Sequence, residues 1–469
     1  MLHIPILRGG RPYRSIDTLR TPHYRTREPF VEISIANTGL IRRDLRNQSE
    51  NREILSRFSS QELFAICSGA AVLFGEGTLP LGDTPQTAED YIRQVSATTG
   101  LPHIMVRRNM QKIRGVMADM ETVINGLTRN LDTRIFDDGY AGPMSYFPRG
   151  ESLGVVLPNN SPGVHALWVP AFAMKTPLVL KPGSAEPWTP YRIVQSFIAA
   201  GAPPEVFGYY PAEHSGGNEI LRQCGLGIVF GDVNSTRAWQ GNSRIEVHGP
   251  GYSKIVIGED MVDEWEKYLD VIVMSILENS GRSCINASGV WTPAHADEIG
   301  DALADRLAQV APRDEADEAA QLAPFVDGGV ASRISAMIDG DLAEPGAREA
   351  TASRRAGGRF VSWQGCSYLL PTVVVCDGPE HPLANREFLF PYASVVPVAQ
   401  EDIPSALGPS LVVTAITRDR ALMNRLLASP NVGRLNIGAL PTCRIHWDQP
   451  HEGNLFDHLY SRRAFQYAV

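Results

Sequence analysis

The chain has 469 residues, of which 43% are hydrophobic and 20% are charged, so it has the composition of a globular protein and is long enough for two or three domains. The formal net charge of −9 argues against nucleic acid or an anionic membrane surface as the main partner. No run of about 18 apolar residues occurs and the first residues do not resemble a signal peptide, so we expect no membrane span and a cytoplasmic location.

The six cysteines are scattered, with no Cys-x-x-Cys pair and no histidine cluster at zinc-ligand spacing. We therefore expect neither a disulfide framework nor a metal site. Lysine is scarce, and arginine supplies nearly all of the positive charge. Each lysine is for that reason a candidate for a specific role.

The first third of the chain predicts a helical layer behind an extended N-terminal segment. Residues 1–50 are rich in Arg, Thr and Pro, with short β-like pieces. Ser59 and Glu62 have the spacing of a capping box at a helix start. Apolar residues then recur at helical spacing, and further helices are predicted over Thr87–Gln94 and Pro102–Leu131.

From Gly154 to His248, short apolar runs alternate with helical segments. The predicted helices are Val164–Phe172 and Pro190–Ala200. The predicted strands are Gly154–Pro158, Pro177–Leu180, Gly208–Pro211, Leu226–Phe230 and Arg244–His248. This alternation predicts a parallel, doubly wound sheet with a ligand crevice at the carboxyl ends of its strands.

A second α/β unit is predicted from Lys254 onward. Its acidic stretch, residues 311–360, is expected to form surface helices and loops with a solvated face. The tail from Leu440 is polar and aromatic and shows no core face. The remaining predicted elements are a helix over Asp297–Val310, a strand over Tyr368–Val375 broken by a proline, strands Ala393–Pro397, Leu411–Ile416 and Arg434–Gly438, and a helix over Asp419–Ala428.

One cysteine in this second unit has the setting of a nucleophile. Tyr268–Leu277 predicts a helix, and Gly289–Trp291 predicts the start of a strand. Between them, Cys284 lies among Gly, Ser and Asn residues, which are typical of a tight turn. Small neighbours leave a sulfur reachable and supply backbone N–H donors, as a thiolate nucleophile requires. The alternative is a buried structural cysteine.

This stretch resembles a known family. Gly281-Arg282-Ser283-Cys284 is similar to the Gly-Gln-x-Cys segment that carries the nucleophile of the aldehyde dehydrogenase superfamily. The loop from Leu157 to Pro162 resembles the family's Pro-Trp-Asn-Phe-Pro loop and places Asn160 on the family's asparagine. The resemblance implies that the Asn160 amide and the Cys284 N–H stabilise an oxyanion. The alternative for Asn160 is a turn residue before proline.

The resemblance also implies a nicotinamide cofactor, NAD or NADP. Lys181, in a segment similar to the family's Val-Leu-Lys-Pro, would reach the ribose or a 2′-phosphate; the alternative is a surface lysine. Ser184 takes the place of a glutamate found in many NAD-preferring relatives, so NADP is not excluded. The resemblance further implies cofactor contacts at Pro158, Glu387 and Leu389. Glu387 would bind the nicotinamide ribose, and Leu389 stands in place of an aromatic residue. Phe230, Gly231 and Ser235 lie in a turn that loosely matches the family's pyrophosphate-binding turn.

The chain departs from the family at the water-activating glutamate. His248 aligns with that residue without a gap, and Glu246 aligns with it after a two-residue insertion. Residues two apart in a strand share a face, so either side chain could serve as a base. The alternative for His248 is a half-buried histidine with satisfied hydrogen bonds. The Gly-Pro-Gly element that follows is similar to CoA-acylating aldehyde dehydrogenases and to acyl-CoA reductases.

We therefore predict an α/β, aldehyde-dehydrogenase-like protein. Its domains are a cofactor-binding domain with the N-terminal extension over 1–252, a catalytic domain over 253–438 and an oligomerisation arm over 439–469. The predicted activity interconverts an aldehyde and an acyl thioester through Cys284, with CoA as co-substrate. The alternatives are hydrolytic oxidation of an aldehyde to an acid and a catalytically silent scaffold. The resemblance implies a homodimer or homotetramer.

Overall fold

The chain divides into two α/β units, which we describe separately. The computed structural model describes residues 1–450, 452–466 and 468. The first unit comprises residues 1–99, 106–249 and the described part of 446–469. The second unit comprises residues 100–105 and 250–445.

The strands before residue 250 are short, and most belong to three sheets. They are β1 Leu2–Ile4, β2 Ile6–Arg8, β3 Arg11–Tyr13, β4 Thr18–Pro22, β5 Pro29–Ser34, β6 Leu79–Leu81, β7 Thr84–Gln86, β8 Tyr140–Ala141, β9 Met144–Pro148, β10 Leu153–Val156, β11 Leu178–Lys181, β12 Phe207–Tyr209, β13 Leu226–Phe230 and β14 Ile245–His248. The helices in this part are α1 Thr38–Asp44, α2 Gln48–Ser56, α3 Ser60–Glu76, α4 Ala88–Thr99, α5 His103–Ala118, α6 Met120–Thr128, α7 Ile135–Asp138, α8 Pro170–Ala173, α9 Trp188–Ala199, α10 His214–Gln223 and α11 Val233–Thr236.

The rest of the chain supplies ten strands and six helices among the described residues. The strands are β15 Lys254–Ile257, β16 Gly289–Thr292, β17 Ala347–Glu349, β18 Phe360–Trp363, β19 Cys366–Leu369, β20 Thr372–Cys376, β21 Tyr392–Pro397, β22 Ser410–Ile416, β23 Val432–Ile437 and β24 Tyr460–Ala464. The helices are α12 Leu269–Leu277, α13 Ala296–Leu307, α14 Gly328–Leu342, α15 Ile403–Ala406, α16 Arg420–Leu427 and α17 Leu455–Leu459.

The main sheet of the first unit is doubly wound, as predicted. Its order is β14-β13-β10-β11-β12-β2-β3, and the five strands from β10 to β14 run parallel. β2 joins antiparallel to β12, so the N-terminal segment extends this sheet. Val155 pairs with Leu180 on one side and Ile228 on the other, and all three are fully or almost fully buried. The carboxyl ends of β10, β11, β13 and β14 therefore lie at one edge.

The main sheet of the second unit has the order β17-β20-β21-β16-β15-β22-β23. All neighbours run parallel except β17, which is antiparallel to β20. Its centre is buried on both faces, since Ile255, Val290 and Val395 are fully buried. The α/β class predicted from the sequence is confirmed.

Local signals in the first third are confirmed at the level of atoms. The Ser59 side chain accepts from the Glu62 N–H, and the Glu62 carboxylate accepts from the Ser59 N–H at 2.7 Å. This reciprocal pair satisfies two of the N–H groups that a helix start leaves without partners. The Asp90 carboxylate caps the next helix in a similar way through Thr87 at 3.1 Å.

The prediction of a single helix over Val164–Phe172 is wrong. The chain forms a 3₁₀ helix over Pro162–Leu167, and α8 follows as one short turn. Pro170 has no N–H group for the Ala166 carbonyl, so an α-helix cannot continue through this point.

The tail has a core face that its composition does not reveal. Leu455, Phe456 and Leu459 are buried, and β24 pairs antiparallel with β9. The Phe456 ring packs edge-on against Phe136 of α7 at 5.8 Å. The expectation of no core face is therefore wrong, because the partners are far away in sequence.

Two further details differ from the predictions. The proline-broken strand over Tyr368–Val375 is two strands in different sheets, since β19 pairs with β18 and β20 joins the main sheet. The acidic stretch is not solvated throughout, because the Glu349 carboxylate is buried between Arg355 and Arg359.

No single helix in the described part of the chain is long and apolar enough to cross a membrane. One pair of helices, Gln48–Ser56 and Ser60–Glu76, meets the length and composition test only when taken together, with a bend of 100° between them.

Candidate active site

Three consecutive residues in left-handed conformation form the turn that precedes Cys284. Asn279, Ser280 and Gly281 have φ values of 52°, 57° and 64°. Such a run is rare outside glycine and reverses the chain directly after α12. A Cβ atom on Gly281 would lie 2.5 Å from the carbonyl carbon of Phe390, so this position requires glycine.

The Asn286 side chain holds the cysteine turn closed. Its Oδ1 accepts from the Ser283 N–H at 2.9 Å, and its Nδ2 donates to the carbonyls of Ser275 and Glu278, both at 3.0 Å. Arg282 is buried and donates to the Ala323 carbonyl at 3.2 Å. The turn is therefore tied to the end of α12 and to the following loop.

Cys284 differs from most other cysteines of the chain in its exposure. The residue is half-buried, whereas Cys67, Cys224, Cys366 and Cys376 are buried. Burial raises the pKa of both Cys224 and Cys376 to about 12, which keeps those thiols protonated and unreactive. The alternative of a buried structural cysteine fits these four residues and not Cys284.

The backbone of Cys284 rests on the segment Gly251–Ser253. The Ser253 Oγ donates to the Cys284 carbonyl at 2.8 Å. A Cβ atom on Gly251 would lie 2.0 Å from the same carbonyl oxygen, so the approach is possible only for glycine. The segment is thus a supporting surface for the cysteine turn.

Glu387 holds this supporting segment from the other side. Its Oε2 atom accepts from the N–H groups of Gly251 and Tyr252, at 2.9 Å and 2.5 Å. Leu389, two residues later, is 42% exposed. Within the second unit, the structure therefore brings Glu387 and Cys284 together through one short stretch of backbone.

In the first unit, Asn160 lies on the loop after β10, at the carboxyl edge of the sheet. Its neighbour Asn159 accepts from the Ala185 N–H at 2.8 Å through Oδ1. The Ser161 Oγ accepts from the Gly163 N–H at 3.2 Å and starts the 3₁₀ helix. Asn160 itself is half-buried.

A buried polar chain joins the Asn160 loop to the loop after β11. The His165 Nε2 lies 3.3 Å from Glu186 Oε2, and both side chains are almost fully buried. Trp168 Nε1 donates to His165 Nδ1 at 3.0 Å, which places the imidazole proton on Nε2, facing the carboxylate. The other carboxylate oxygen accepts from the N–H and Oγ1 of Thr189.

Lys181 and Ser184 lie where the sequence predicts them, Lys181 as the last residue of β11 and Ser184 in the loop that follows. Lys181 is half-buried and burial lowers its pKa, whereas Ser184 is exposed. A Cβ atom on Gly183 would lie 2.4 Å from the Pro158 carbonyl oxygen, so the two loops approach closely. Thr21 of β4 donates to the Ser184 carbonyl at 3.2 Å, so the N-terminal segment supports this loop.

The turn after β13 is closed by its own side chains. The Asp232 carboxylate accepts from the Ser235 N–H at 2.7 Å, and the Ser235 Oγ donates to the Asp232 carbonyl at 3.1 Å. A Cβ atom on Gly231 would lie 2.3 Å from Ser235 Oγ, so glycine allows this tight turn. Ser235 therefore uses both of its polar groups inside the turn.

Glu246 and His248 face the same side of β14, as the strand period predicts. His248 Nε2 lies 3.1 Å from Glu246 Oε1, off the axis of the N–H bond, so the contact is an ion pair rather than a straight hydrogen bond. The second ring nitrogen lies 3.5 Å from Glu452 Oε2. The ring also stacks on Phe230, with centroids 4.7 Å apart.

These contacts determine the charge of His248. Burial alone lowers its pKa, but the carboxylates of Glu246 and Glu452 outweigh burial and raise the pKa to about 9. His248 is therefore protonated at neutral pH. The alternative of a half-buried histidine with satisfied hydrogen bonds is met only in part, because both ring nitrogens face carboxylates but Nε2 makes no straight hydrogen bond.

Several residues of these sites were not predicted. Glu452 reaches β14 from the tail, and no local signal identifies it. Asn286 and Ser253 carry weak signals, since short polar residues in turns often bond to the backbone. Lys254 could have been singled out because lysine is scarce and a lysine at the start of a buried strand is unusual.

Comparison with known proteins gives the following relations. The sequence profile described as "Aldehyde dehydrogenase family" matches residues 85–453. The chain is 24% identical over 166 residues to geranial dehydrogenase of Castellaniella defragrans, which corresponds to 33% of this chain and 34% of that protein. The chain thus spans about a third of the length of this relative.

The fold is similar to solved structures over almost the whole chain. The aldehyde dehydrogenase KauB from Pseudomonas aeruginosa has a TM-score of 0.80 with 15% identity, and the match covers 99% of this chain and 96% of that one. The NAD-dependent aldehyde dehydrogenase from Sinorhizobium meliloti has a TM-score of 0.79 with 17% identity, covering 99% and 94%. At these identities the structures confirm the predicted fold.

Proposed function

The chain belongs to the aldehyde dehydrogenase family, and we propose that it is an NAD(P)-dependent aldehyde oxidoreductase with Cys284 as its nucleophile. The half-buried thiol on a turn closed by Asn286 supports this role. A small aldehyde, or the corresponding acyl thioester, is the substrate. The silent-scaffold alternative is less well supported, because the chain retains Cys284, Asn160, Lys181 and Glu387 together at the family's positions.

In the oxidative direction, the Cys284 thiolate adds to the aldehyde carbon, and the carbonyl oxygen becomes an oxyanion. A nicotinamide cofactor held by the residues proposed below would supply the acceptor for the hydride of this carbon, and a thioester on Cys284 would then remain. We propose that the Asn160 amide stabilises the oxyanion together with the Cys284 N–H. The half-buried position of Asn160 after β10 is compatible with that role.

The adenosine side of a dinucleotide fits the residues at the end of β11 and in the loop that follows. Lys181 offers an ammonium group at the carboxyl edge, and Pro158 and Gly183 form a close junction beside it. The exposed Ser184 places no carboxylate there, so a 2′-phosphate would meet no repulsion. The NAD-dependent relative from Sinorhizobium meliloti supports a nicotinamide cofactor, and we propose NAD or NADP.

The resemblance supplies the proposed pyrophosphate and nicotinamide contacts. We propose the turn of Phe230, Gly231 and Ser235 for the pyrophosphate, although the Asp232 carboxylate occupies the Ser235 N–H and would repel a phosphate there. Glu387 and Leu389 are proposed for the nicotinamide side. Glu387 already anchors backbone with one of its oxygens.

The environment of His248 favours acyl transfer to CoA over hydrolysis. A histidine with a pKa of about 9 carries its proton at neutral pH and cannot take one from water. Glu246, the other candidate base, is engaged by the His248 cation at 3.1 Å. The CoA thiol brings its own nucleophile, so acyl transfer needs such a base much less. In that step, the CoA thiolate attacks the thioester carbon and the Cys284 thiolate leaves.

Hydrolysis is the second candidate. Glu246 presents a carboxylate on the same face of β14 as His248, and the geranial dehydrogenase relative is a dehydrogenase by name. In that reaction, Glu246, or His248 in its neutral form, would remove a proton from water as the water attacks the thioester. An acid would then be released instead of acyl-CoA.

The domain roles and assembly are also proposals. We assign cofactor binding to 1–252, catalysis to 253–438 and an oligomerising arm to 439–469, with a homodimer or homotetramer in the cytoplasm. Strand β24 of the arm pairs antiparallel with β9 of the same chain, so this part of the arm belongs to a sheet of its own subunit.

One assay tests the proposed function. A panel of aldehydes is incubated with NAD or NADP, with and without CoA, and nicotinamide reduction, acid and acyl-CoA are measured. The proposal expects reduction with at least one aldehyde and acyl-CoA as the main product. Acid formation at the same rate without CoA would support hydrolysis instead.

A further inference from the structure

Lys254 is a buried cation at the start of a central strand. It is 1% exposed, and the strand it opens continues with three buried aliphatic residues. Burying an ammonium group is costly unless its protons are bonded, so a lysine here needs a reason. Burial lowers the pKa of Lys254 to about 8, although the Glu387 carboxylate acts in the opposite direction.

The partners of Lys254 are few and well defined. Its Nζ donates to the Tyr252 carbonyl at 2.8 Å and to Ser410 Oγ at 3.1 Å. It also lies over the Trp291 ring, 5.6 Å from the centroid. Tyr252 is the more informative partner, because it has a φ of 47°, a left-handed conformation that a non-glycine residue rarely adopts.

Charged side chains therefore bind both the N–H and the carbonyl of the strained residue Tyr252. Lys254 fixes its carbonyl, and Glu387 Oε2 fixes its N–H at 2.5 Å and that of Gly251 at 2.9 Å. A strained residue persists where its surroundings over-determine it, and such residues concentrate at functional sites. The next residue, Ser253, binds the Cys284 carbonyl at 2.8 Å and accepts from the Val412 N–H at 3.2 Å.

We propose that Lys254 is a positioning residue for Cys284. It holds the carbonyl of Tyr252, so that Gly251 and Ser253 present a fixed surface to the Cys284 backbone. Glu387 completes the arrangement from the other side. The inference rests on the proposed function only in taking Cys284 as the nucleophile, and it assigns Lys254 a role that the resemblance to the family does not supply.

A purely structural lysine would have different consequences. Its loss would lower the melting temperature without changing the reactivity of the sulfur in the folded protein. A positioning lysine acts through the Gly251–Ser253 segment, so its loss would alter both the alkylation rate of Cys284 and kcat. The KM for the nicotinamide cofactor would change much less.

The test uses the full-length K254M protein, in which Met matches the stem of the lysine side chain but lacks the ammonium group with its charge and donors. Alkylation by iodoacetamide is followed at neutral pH, well below the melting temperature, with mass spectrometry of the Cys284 peptide. We expect the Cys284 alkylation rate and kcat to change, kcat falling by roughly tenfold or more, as for small misplacements of reacting groups. K267M is the matched control, since Lys267 is exposed and pairs only with Glu264 among the described contacts.

A second variant tests the next step of the proposed path and does not depend on the folding of K254M. S253A removes the hydroxyl that reaches the Cys284 carbonyl, and it should alter the same two readouts. In the double variant the two effects should be less than additive, because both act along one path. A lowered melting temperature with wild-type alkylation and kcat in K254M and S253A would overturn the proposal.

The alkylation readout does not depend on turnover, which separates this inference from the proposed function. If C284S retains aldehyde oxidation, the proposed function fails. If C284S is inactive while K254M and S253A behave like the wild type, the proposed function stands and the role of Lys254 is wrong.

Discussion

The Glu452 carboxylate lies 3.5 Å from Nδ1 of His248, whereas Glu246 contacts the other ring nitrogen, Nε2. One imidazole at the end of β14 is thus held between two acidic side chains from distant parts of the sequence. The tail backbone also approaches β14 closely, since a Cβ atom on Gly453 would lie 2.6 Å from Glu246 Oε1. The tail and β14 are therefore joined by an ionic cluster inside the first unit.

This cluster predicts a pH dependence of stability. The folded pKa of His248 is raised to about 9 from an ordinary value of 6.5, so its contribution is fully present below pH 6.5 and is lost as the pH rises toward 9. The charged groups that face it are Glu246 and Glu452, and burial lowers the pKa of nearby His458, which stays neutral. We expect the free energy of unfolding of the wild type to decline between about pH 6.5 and 9.

The variant H248Q isolates this term. It removes the titrating group, so its unfolding free energy should change less over the same pH window than that of the wild type. Urea denaturation at several pH values measures both. Parallel pH profiles for the two proteins would show that His248 does not carry the effect.

The elements that could be predicted from the sequence are those with local causes. The Ser59–Glu62 capping box depends on residues three apart, and strand Leu226–Phe230 has the predicted bounds because its apolar run ends at a turn. The tail helix α17 could not be recognised as buried, since its partner Phe136 is remote. The ion pair of His248 with Glu452 and the contacts of Glu387 with the backbone are also non-local.

In the candidate site, too, the residues with local sequence signals could be predicted, and the contacts between distant residues could not. Cys284 could be singled out because small residues and a helix end surround it in sequence. The role of Glu387 as an anchor for Gly251 could not be predicted, because backbone N–H groups leave no signature in the side chains. The helix predicted over Val164–Phe172 is a 3₁₀ helix followed by a short turn of α-helix, because Pro170 interrupts it. The apolar periodicity of the segment favoured a continuous helix in spite of this proline.

Replacing the nucleophile should abolish turnover and spare cofactor binding. C284A removes the sulfur that forms the covalent bond, while the groups proposed for the cofactor remain. Aldehyde-dependent NAD(P)H formation should fall below a few per cent of wild type, and NAD(P)H titration followed by fluorescence should be unchanged. C443A is the matched control, because Cys443 is the other half-buried cysteine. Activity retained in C284A would remove Cys284 from the mechanism.

Two adjacent asparagines should separate catalysis from cofactor binding. N160A should lower kcat by on the order of 10²-fold, the usual effect of losing an oxyanion donor. N159A breaks the bond to the Ala185 N–H and loosens the loop that carries Ser184 and directly follows Lys181, so it should raise the KM for the cofactor more than it lowers kcat. Steady-state kinetics with varied cofactor measure both quantities. A wild-type kcat in N160A would mean that other donors hold the oxyanion.

The last prediction concerns the fate of the thioester. If His248 is protonated and Glu246 is its ion-pair partner, neither activates water well at neutral pH, and the acyl group should remain on Cys284 until CoA arrives. CoA should therefore raise aldehyde-dependent NAD(P)H formation by roughly tenfold or more. E246Q should change the CoA-dependent rate little, and E259Q, which alters an exposed carboxylate outside β14, serves as the control. Full activity without CoA that is lost in E246Q or H248A would establish hydrolysis in place of acyl transfer, while the assignment of Cys284 would stand.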